Sequence, residues 1–303
     1  MFSNASNFVQ DVDFTFAIIL GISLIFLVGI TGVMIYFIIK YNHKKNPVAT
    51  NIKGNHTLEI LWTVIPTILV MVMFYYGWAG YDKMRIVPDD AIKIKTTARM
   101  WSWQFEYPNG KTTDSLVIPK DKAVKLDMMS DDVIHSLYIP AYRLKEDIIP
   151  GDTTYMWFIG QELGTYNILC AEYCGERHSF MITTLDVLEE ADYEQWLNDT
   201  SKIDEHPGLT VLKTNACIAC HSLDGNRIVG PSFKGMYGIK ETIINSAGEE
   251  VEIVVDDAHI IKSIYEPNED ILKSYNKGLM ISYKDKINEQ QMQDILDYLK
   301  TIQ

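Results

Sequence analysis

The segment from Ile168 to Met181, ILCAEYCGERHSFM, concentrates side chains that bind soft metals. It holds Cys170, Glu172, Cys174, His178 and Met181. A disulfide would need only the two cysteines, and a zinc site has little use for a thioether. Thiolate, thioether and imidazole together are the ligand set that suits copper. His135, in DDVIHSLYIP, supplies a distant second imidazole.

The second cysteine decides between two kinds of copper site. A mononuclear blue-copper site needs one Cys, two His and a Met, so one of Cys170 and Cys174 would be surplus to it. Two thiolates can instead bridge two coppers, with one histidine on each metal. Sharing one electron over two metals keeps the structural change on reduction small, which favours electron transfer over substrate chemistry.

A second motif, NACIACHSLDG, contains Cys217, Cys220 and His221 in the C-x-x-C-H spacing of covalent c-type haem attachment. The alternatives are a zinc knuckle or a redox dithiol, but no second ligand pair follows downstream. An electron-transfer haem needs a sixth ligand, and methionine raises its potential. Met236 and Met280 are the two candidates. All four cysteines of the chain belong to one of the two motifs, so none is left for a structural disulfide.

Two uncharged apolar runs precede these motifs, Phe14 to Ile39 and Ile60 to Tyr81. Each exceeds the roughly 20 residues that a helix needs to cross a bilayer. The connection from Lys40 to Thr57 has four lysines and no acid, whereas the net charge of −13 is concentrated after residue 81. The positive-inside rule therefore predicts a cytoplasmic connection and two outward-facing termini. The start MFSNASNFVQ lacks a basic region and does not predict a cleaved signal peptide.

The rest of the chain divides into a β-rich and a mostly helical part. Residues 91–110 alternate apolar and polar positions and then change parity, which predicts a bulge. Further alternating runs, at residues 123–128, 153–159 and 179–188, predict a small β-sandwich or barrel. A charged helix and linker follow, then a hairpin turning at Ala247-Gly248 and a final helix that Asn288 and Gln291 cap.

The domain prediction is a transmembrane hairpin over residues 1–81, with helices at about 14–39 and 60–81. A copper domain follows at 82–188, a linker at 189–206 and a haem domain at 207–303.

These motifs together resemble subunit II of cytochrome c oxidase, the haem–copper terminal oxidase, with a fused class I cytochrome c domain. The resemblance also includes LEILWTVIP, Trp-Ser-Trp at 101–103, HSLYIP and LKEDIIPG. It implies a cupredoxin-like Greek-key domain after the membrane hairpin. By the same resemblance the dinuclear copper (CuA) centre is ligated by His135, Cys170, Cys174, His178, Met181 and the backbone carbonyl of Glu172.

The resemblance assigns further roles. The carboxylate of Glu172 helps hold a magnesium ion at the border with subunit I, where Lys145 and Asp147 also lie. Trp101 is the family's exposed tryptophan that accepts electrons, although ARM precedes it here. The order of elements in class I cytochromes c, haem motif, Gly-Pro, methionine loop and final helix, favours Met280 over Met236 as the sixth ligand. Ile281 stands where that loop often has proline.

Glu59 is the only acid near the inner face of the second membrane helix. By resemblance it marks the entrance of a proton path into subunit I, and the alternative is a charge at a helix start.

The predicted function is electron input into a membrane-bound oxidase that reduces oxygen and translocates protons. The chain lacks a set of membrane histidines for an oxygen-reducing haem–copper site, so the resemblance implies a catalytic subunit I and a subunit III as partners. The donor would be a quinol–cytochrome c reductase-type complex or another cytochrome, and the location a bacterial inner membrane. The acidic outer part argues against nucleic acid. The alternatives are input into a nitric oxide reductase and a membrane-anchored copper storage or delivery module, which would need no haem.

Overall fold

The computed structural model describes residues 4–48, 50, 51, 53–199 and 206–303. In chain order its helices are α1 (Val9–Lys40), α2 (His56–Arg85), α3 (Glu190–Asn198), α4 (Pro207–Thr214), α5 (Asp257–Tyr265) and α6 (Glu289–Thr301).

Helices α1 and α2 are long and apolar enough to cross a membrane. Their large apolar side chains are exposed, as expected for helices that face lipid. The 32 residues of α1 extend about 48 Å at 1.5 Å per residue, which is more than the roughly 30 Å hydrocarbon core of a bilayer. Helix α1 is therefore long enough to extend beyond the hydrocarbon core, and near its start Arg143 Nε donates to the buried Asp13 at 2.8 Å.

The β-rich part is a sandwich of two five-stranded sheets, in the orders β3-β2-β1-β5-β8 and β4-β10-β9-β6-β7. We call it, together with α3, the sandwich domain. Its strands are β1 (Ile92–Arg99), β2 (Ser102–Glu106), β3 (Thr112–Thr113), β4 (Leu116–Pro119), β5 (Ala123–Ser130), β6 (His135–Ile139), β7 (Leu144–Ile148), β8 (Thr154–Ile159), β9 (Gly164–Cys170) and β10 (Ile182–Leu188). The predicted sandwich is confirmed, and a single buried cluster of aromatic and aliphatic side chains fills it.

The prediction of a bulge within residues 91–110 is wrong. The chain reverses at Met100 and Trp101, so β1 and β2 pair antiparallel with Ala98 opposite Trp103. The alternation changes parity because it belongs to two strands, each with its own inward face.

Helix α3 occupies the start of the predicted linker, and residues 200–205 of that linker lie outside the described residues. Trp196 of α3 packs edge-on against Tyr107, with 5.0 Å between ring centroids. This part of the predicted linker is therefore attached to the sandwich.

Residues 206–303, the C-terminal domain, are built around α4, α5 and α6 with a three-stranded sheet in the order β12-β11-β13. Its strands are β11 (Lys240–Ile244), β12 (Glu250–Val254) and β13 (Ile271–Leu272). The predicted hairpin is confirmed, with Gly248 at a φ of 84° in its turn. The predicted capping pair of α6, Asn288 and Gln291, is confirmed as a reciprocal capping box.

Helices α4 and α6 cross in backbone contact. A Cβ on Gly208 would lie 2.0 Å from the carbonyl oxygen of Asp294, so only glycine allows this crossing.

Candidate metal and haem sites

Neighbouring strands of one sheet bring the predicted copper-binding residues together. His135 begins β6 and Cys170 ends β9, and these strands pair with Leu137 opposite Cys170. The remaining predicted ligands lie between β9 and β10, in a segment that turns at Gly175 with a φ of 111°. A Cβ at that position would lie 3.1 Å from the indole of Trp101.

The two thiols form the centre of this site. Their sulfur atoms are 3.7 Å apart, far beyond the roughly 2.05 Å of a disulfide bond. Nδ1 of His135 lies 3.9 Å from Cys170 Sγ, and Nδ1 of His178 lies 3.5 Å from Cys174 Sγ. Met181 Sδ lies 3.8 Å from Cys174 Sγ. Each sulfur therefore has its own imidazole, which is the arrangement that two bridged metals require.

Asp132 orients the buried His135. His135 Nε2 donates to Asp132 Oδ1 at 2.8 Å, and the same carboxylate accepts the backbone N–H of Met100 at 2.7 Å. Because the proton is held on Nε2, Nδ1 is free to face Cys170. The sequence analysis missed Asp132, and its only signal was an acid three residues before the histidine.

The thiol pair is not stable with both sulfurs ionised unless a cation is present. The hydrogen bond from Cys174 lowers the pKa of Cys170 to about 3. The same bond raises the pKa of Cys174 far above its ordinary value. One proton is thus retained between the sulfurs, and a bound cation would replace it. Soft sulfur with neutral imidazole fits copper.

Glu172 divides its groups between two sides of the site. Its carbonyl oxygen lies 3.3 Å from Cys170 Sγ, whereas its carboxylate lies 3.4 Å from Lys145 Nζ. Lys145 Nζ also donates to Asp147 at 2.6 Å, and Ser136 Oγ donates to the same carboxylate oxygen at 2.7 Å. The carbonyl is placed beside the thiol pair and the carboxylate lies outside it, as the predicted division of roles requires.

Trp101 is not the exposed residue that the resemblance implies, since it is only 6% exposed. Its Nε1 donates to the carbonyl oxygen of Cys174 at 3.0 Å, which connects the indole directly to a predicted copper ligand. Cys220 and Val229 of the C-terminal domain pack against the core cluster that contains Trp101. The expectation of exposure is wrong, because the indole lies within the buried core cluster. Trp103 is a core residue, 3% exposed.

The C-x-x-C-H motif lies at the wall of a cavity, lined mostly by the C-terminal domain, which we call the haem cavity. His221 Nδ1 donates to the carbonyl oxygen of Pro231 at 2.8 Å, and its ring stacks on Phe233. This bond fixes the ring and leaves Nε2 for iron. A Cβ on Gly230 would lie 2.5 Å from the imidazole, so the Gly-Pro segment leaves room only for the ring.

Burial raises the pKa of Cys217 to about 12 and that of Cys220 to about 11. Both thiols are therefore neutral near pH 7 and are placed at a largely apolar cavity. These features suit thioether attachment to haem vinyl groups better than a reactive dithiol. Met236 and Met280 both line the haem cavity, so its lining alone does not separate the two candidate sixth ligands.

Glu59 lies in the first turn of α2, where its Oε2 is 3.4 Å from His56 Nδ1. The helix begins at a side-chain cap, because Asn55 Oδ1 accepts the backbone N–H groups of Thr57 and Leu58. This position is compatible with both predicted roles of Glu59.

Comparison with known families follows the same division of the chain. Residues 1–78 match the family described as cytochrome C oxidase subunit II, transmembrane domain, and residues 110–188 match its periplasmic domain. Residues 206–303 match cytochrome c.

A cytochrome c oxidase subunit 2 of Alkalihalophilus pseudofirmus is 31% identical over 94% of this chain and 85% of its own length. The chain belongs to the cytochrome c oxidase subunit II family. A probable cytochrome c oxidase subunit 2 of Rickettsia bellii is 27% identical over 66% of this chain and 82% of its own length. The crystal structure of the periplasmic domain of subunit II of cytochrome oxidase of Bradyrhizobium japonicum is 30% identical. The match covers 39% of this chain and 98% of the chain in that structure, with a TM-score of 0.37.

Membership of the subunit II family confirms several predictions. The chain is an electron-input subunit of a haem–copper oxidase, an oxidoreductase, and it associates with catalytic subunit I. The family implies dinuclear copper, and the fused cytochrome c domain implies haem. The cluster of His135, Cys170 and Cys174, with ligand atoms within 4.8 Å of one another, fits such a copper centre.

Proposed function

We propose that this subunit accepts electrons at a covalent haem c in its C-terminal domain. It passes them through a dinuclear copper centre in its sandwich domain to subunit I, where oxygen is reduced to water with proton translocation. The observation that carries the proposal is the pair of thiols 3.7 Å apart, each with its own imidazole nitrogen within 4 Å.

The protein residues bind and orient the two groups. His135, Cys170, Cys174, His178, Met181 and the carbonyl of Glu172 would hold copper, while Cys217 and Cys220 would attach the haem and His221 and Met280 would bind its iron. Bound there, the two groups supply reversible one-electron transfer. Asp132 and the carbonyl of Pro231 hold the imidazole protons away from the metals. Trp101, hydrogen-bonded to the carbonyl of Cys174, is the residue through which electrons reach the copper side.

Met280 is preferred to Met236 because it precedes the final helix α6, as the methionine loop does in class I cytochromes c. The tight Gly230-Pro231 segment beside His221 is the other landmark of that order.

The carboxylate of Glu172 helps bind magnesium at the contact with subunit I. Carboxylate oxygen is a ligand that this hard cation favours, and Glu172 lies in a polar group with Lys145 and Asp147. Glu59 lies in the first turn of α2, at the end of that helix away from the sandwich domain. It marks the entrance of a proton path into subunit I.

The subunit spans the bacterial inner membrane twice. Both termini and both metal domains lie on the periplasmic side, and the basic connection is cytoplasmic. The domains are the membrane hairpin (1–81), copper domain (82–188), linker (189–206) and haem domain (207–303). Subunit III and a quinol–cytochrome c reductase-type complex complete the assembly.

The test is electron paramagnetic resonance of the oxidised full chain in detergent, loaded with copper, after its covalent haem is verified by mass. We expect hyperfine structure from one electron shared over two coppers, and its loss in Cys170→Ser and Cys174→Ser. Asp152→Asn, at an exposed carboxylate that accepts the backbone N–H of Thr153, is the matched control and should retain it. A single-copper spectrum from the wild-type chain would contradict the dinuclear assignment.

A further inference from the structure

The C-terminal domain contacts the sandwich domain through polar groups placed around the two metal sites. Arg99, at the end of β1, is only 6% exposed although it is charged. Its Nη2 donates to Gln104 Oε1 at 2.8 Å and to the carbonyl oxygen of Thr214 at 3.5 Å. Gln104 Nε2 donates to that same carbonyl at 3.4 Å.

Thr214 is the last residue of α4, where helix carbonyls lack intrahelical partners and carry the negative end of the helix dipole. A guanidinium and an amide from the sandwich domain thus satisfy the C-terminus of a helix in the other domain. Burial removes the Arg99 guanidinium from water, and the Thr214 carbonyl replaces part of the hydration that it loses. The contact therefore favours one relative placement of the two domains.

A second contact joins the two prosthetic-group motifs directly. Arg177 precedes the predicted copper ligand His178, and its Nη1 donates to the carbonyl oxygen of Ala219. Ala219 lies between the two cysteines of the C-x-x-C-H motif.

The third contact is ionic. Lys286 Nζ of the C-terminal domain lies 2.7 Å from Asp131 Oδ2, and Asp131 is also 3.9 Å from Arg99 Nε. Asp131 is 25% exposed and Lys286 39%, so solvent screens this pair only in part.

We propose that these contacts form an interdomain latch, made by Arg99, Gln104, Asp131 and Arg177 on one side and Lys286 with the Thr214 and Ala219 carbonyls on the other. The latch keeps the C-terminal domain bound to the sandwich domain, with the haem-attachment motif next to Trp101. It closes the Trp101 surface to soluble electron donors. This inference rests on the proposed function. The electron that the reduced haem loses is gained by the copper centre, and the C-terminal domain does not first have to move to its docking position.

The burial of Trp101 supports a closed surface. Trp101 is 6% exposed, and Cys220 packs against the cluster to which it belongs. Arg99 and Met100 of the sandwich domain line the haem cavity together with Cys217 and Cys220. A soluble donor would have to displace the C-terminal domain to reach the indole.

The latch itself is tested by zero-length carbodiimide crosslinking of the full chain in lipid nanodiscs, with peptides mapped by mass spectrometry. We expect a Lys286–Asp131 crosslink. The internal control is the Lys273–Glu250 pair, 2.8 Å apart within the C-terminal domain. If Lys273–Glu250 couples and Lys286–Asp131 does not, the latch is wrong, whatever the electron path.

Its consequence is tested by photo-reducing the haem of the copper-loaded full chain and timing copper reduction. Lys286→Glu places two carboxylates together and should slow this transfer about three- to tenfold, most strongly at low ionic strength. Lys286→Arg keeps the charge and should match wild type. Lys273→Glu makes the same charge change away from the interface and should also match wild type.

Two outcomes would overturn the inference. One is a Lys286→Glu variant that transfers electrons at the wild-type rate. The other is direct reduction of wild-type copper by a soluble cytochrome before the haem is reduced, because a closed Trp101 surface forbids it. If the Lys286–Asp131 crosslink forms but no electron passes from haem to copper in wild type, the proposed function fails and the latch stands.

Discussion

In the sandwich domain the predicted metal ligands touch one another, whereas in the C-terminal domain the predicted haem ligands stand around a cavity. The thiols of Cys170 and Cys174 are 3.7 Å apart, on a framework of paired strands. The haem cavity instead separates His221 from both candidate methionines, and its lining comes from many short segments. One site is organised by the protein alone, and the other needs its prosthetic group to complete the core.

The contacts that orient a histidine also differ between the two domains. In the sandwich domain a side chain, Asp132, fixes His135. In the C-terminal domain a backbone carbonyl, that of Pro231, fixes His221. The copper site can therefore be adjusted by single substitutions, while the haem site depends on the fold of its loop.

The largest expected effect comes from removing covalent haem with the double variant Cys217→Ala and Cys220→Ala. Without haem the cavity has no apolar filling, so the C-terminal domain should lose cooperative unfolding while the sandwich domain keeps its copper spectrum. Hydrogen exchange of the full chain measures both domains at once. Wild-type protection in α6 of the haem-free variant would show that the C-terminal domain is organised without its haem.

Removing copper is the reciprocal treatment. Because strands already assemble its ligands, copper-free protein should retain wild-type hydrogen exchange in β6 and β9. Collapse of both strands on chelation would show that the sandwich domain is not organised independently of its metal.

The next largest effect is expected from a glycine-to-alanine substitution, made at one position in each domain. In Gly208→Ala the new Cβ meets the backbone of Asp294 at 2.0 Å, so α4 must move from α6. We expect a loss of about 3 kcal/mol in unfolding free energy. In Gly160→Ala the Cβ meets side-chain atoms, Tyr142 Oη at 2.8 Å and Ile118 Cδ1 at 3.0 Å. These can shift, and we expect a loss of about 1 kcal/mol.

Guanidinium unfolding measures both variants, with Soret absorbance reporting the C-terminal domain and copper–thiolate absorbance the sandwich domain. An equal or larger loss in Gly160→Ala would mean that the sandwich core tolerates overpacking no better than the α4–α6 crossing.

A smaller effect is expected from Asp132→Asn, which keeps the shape of the side chain but makes it a poorer acceptor for His135 Nε2–H. Copper affinity should fall about tenfold, with the haem spectrum unchanged. Competition with a chelator measures the affinity, and Asp152→Asn is the control because its carboxylate bonds a backbone N–H without touching a histidine. An unchanged affinity would mean that the strand backbone alone orients the imidazole.

Sequence patterns predicted the parts of this structure that local chemistry determines. Both membrane helices, the hairpin at Gly248 and the cap at Asn288 are local motifs or periodicities. The copper and haem ligands remain predictions, which rest on the family resemblance as well as on local motifs. The exposure of Trp101 was predicted wrongly because its burial depends on residues distant in the chain, such as Cys174, whose carbonyl accepts from the indole. Contacts such as Arg99 with Thr214 join residues 115 positions apart, and no periodicity carries that information. The reversal at Met100 was missed because a change of parity is the same for a bulge and for a tight hairpin.

The smallest effect concerns α6, the helix against which α4 packs. Asn288 Oδ1 accepts the backbone N–H of Gln291, and the Gln291 side chain accepts that of Asn288. Asn288→Ala removes the cap and should lower the unfolding free energy of the haem-loaded C-terminal domain by about 1 kcal/mol. Gln290→Ala, which removes only an exposed side-chain bond to Asp294, should cost about 0.3 kcal/mol. If both variants unfold at the wild-type guanidinium midpoint, the haem rather than the helix ends sets the stability of this domain, unlike that of the sandwich domain.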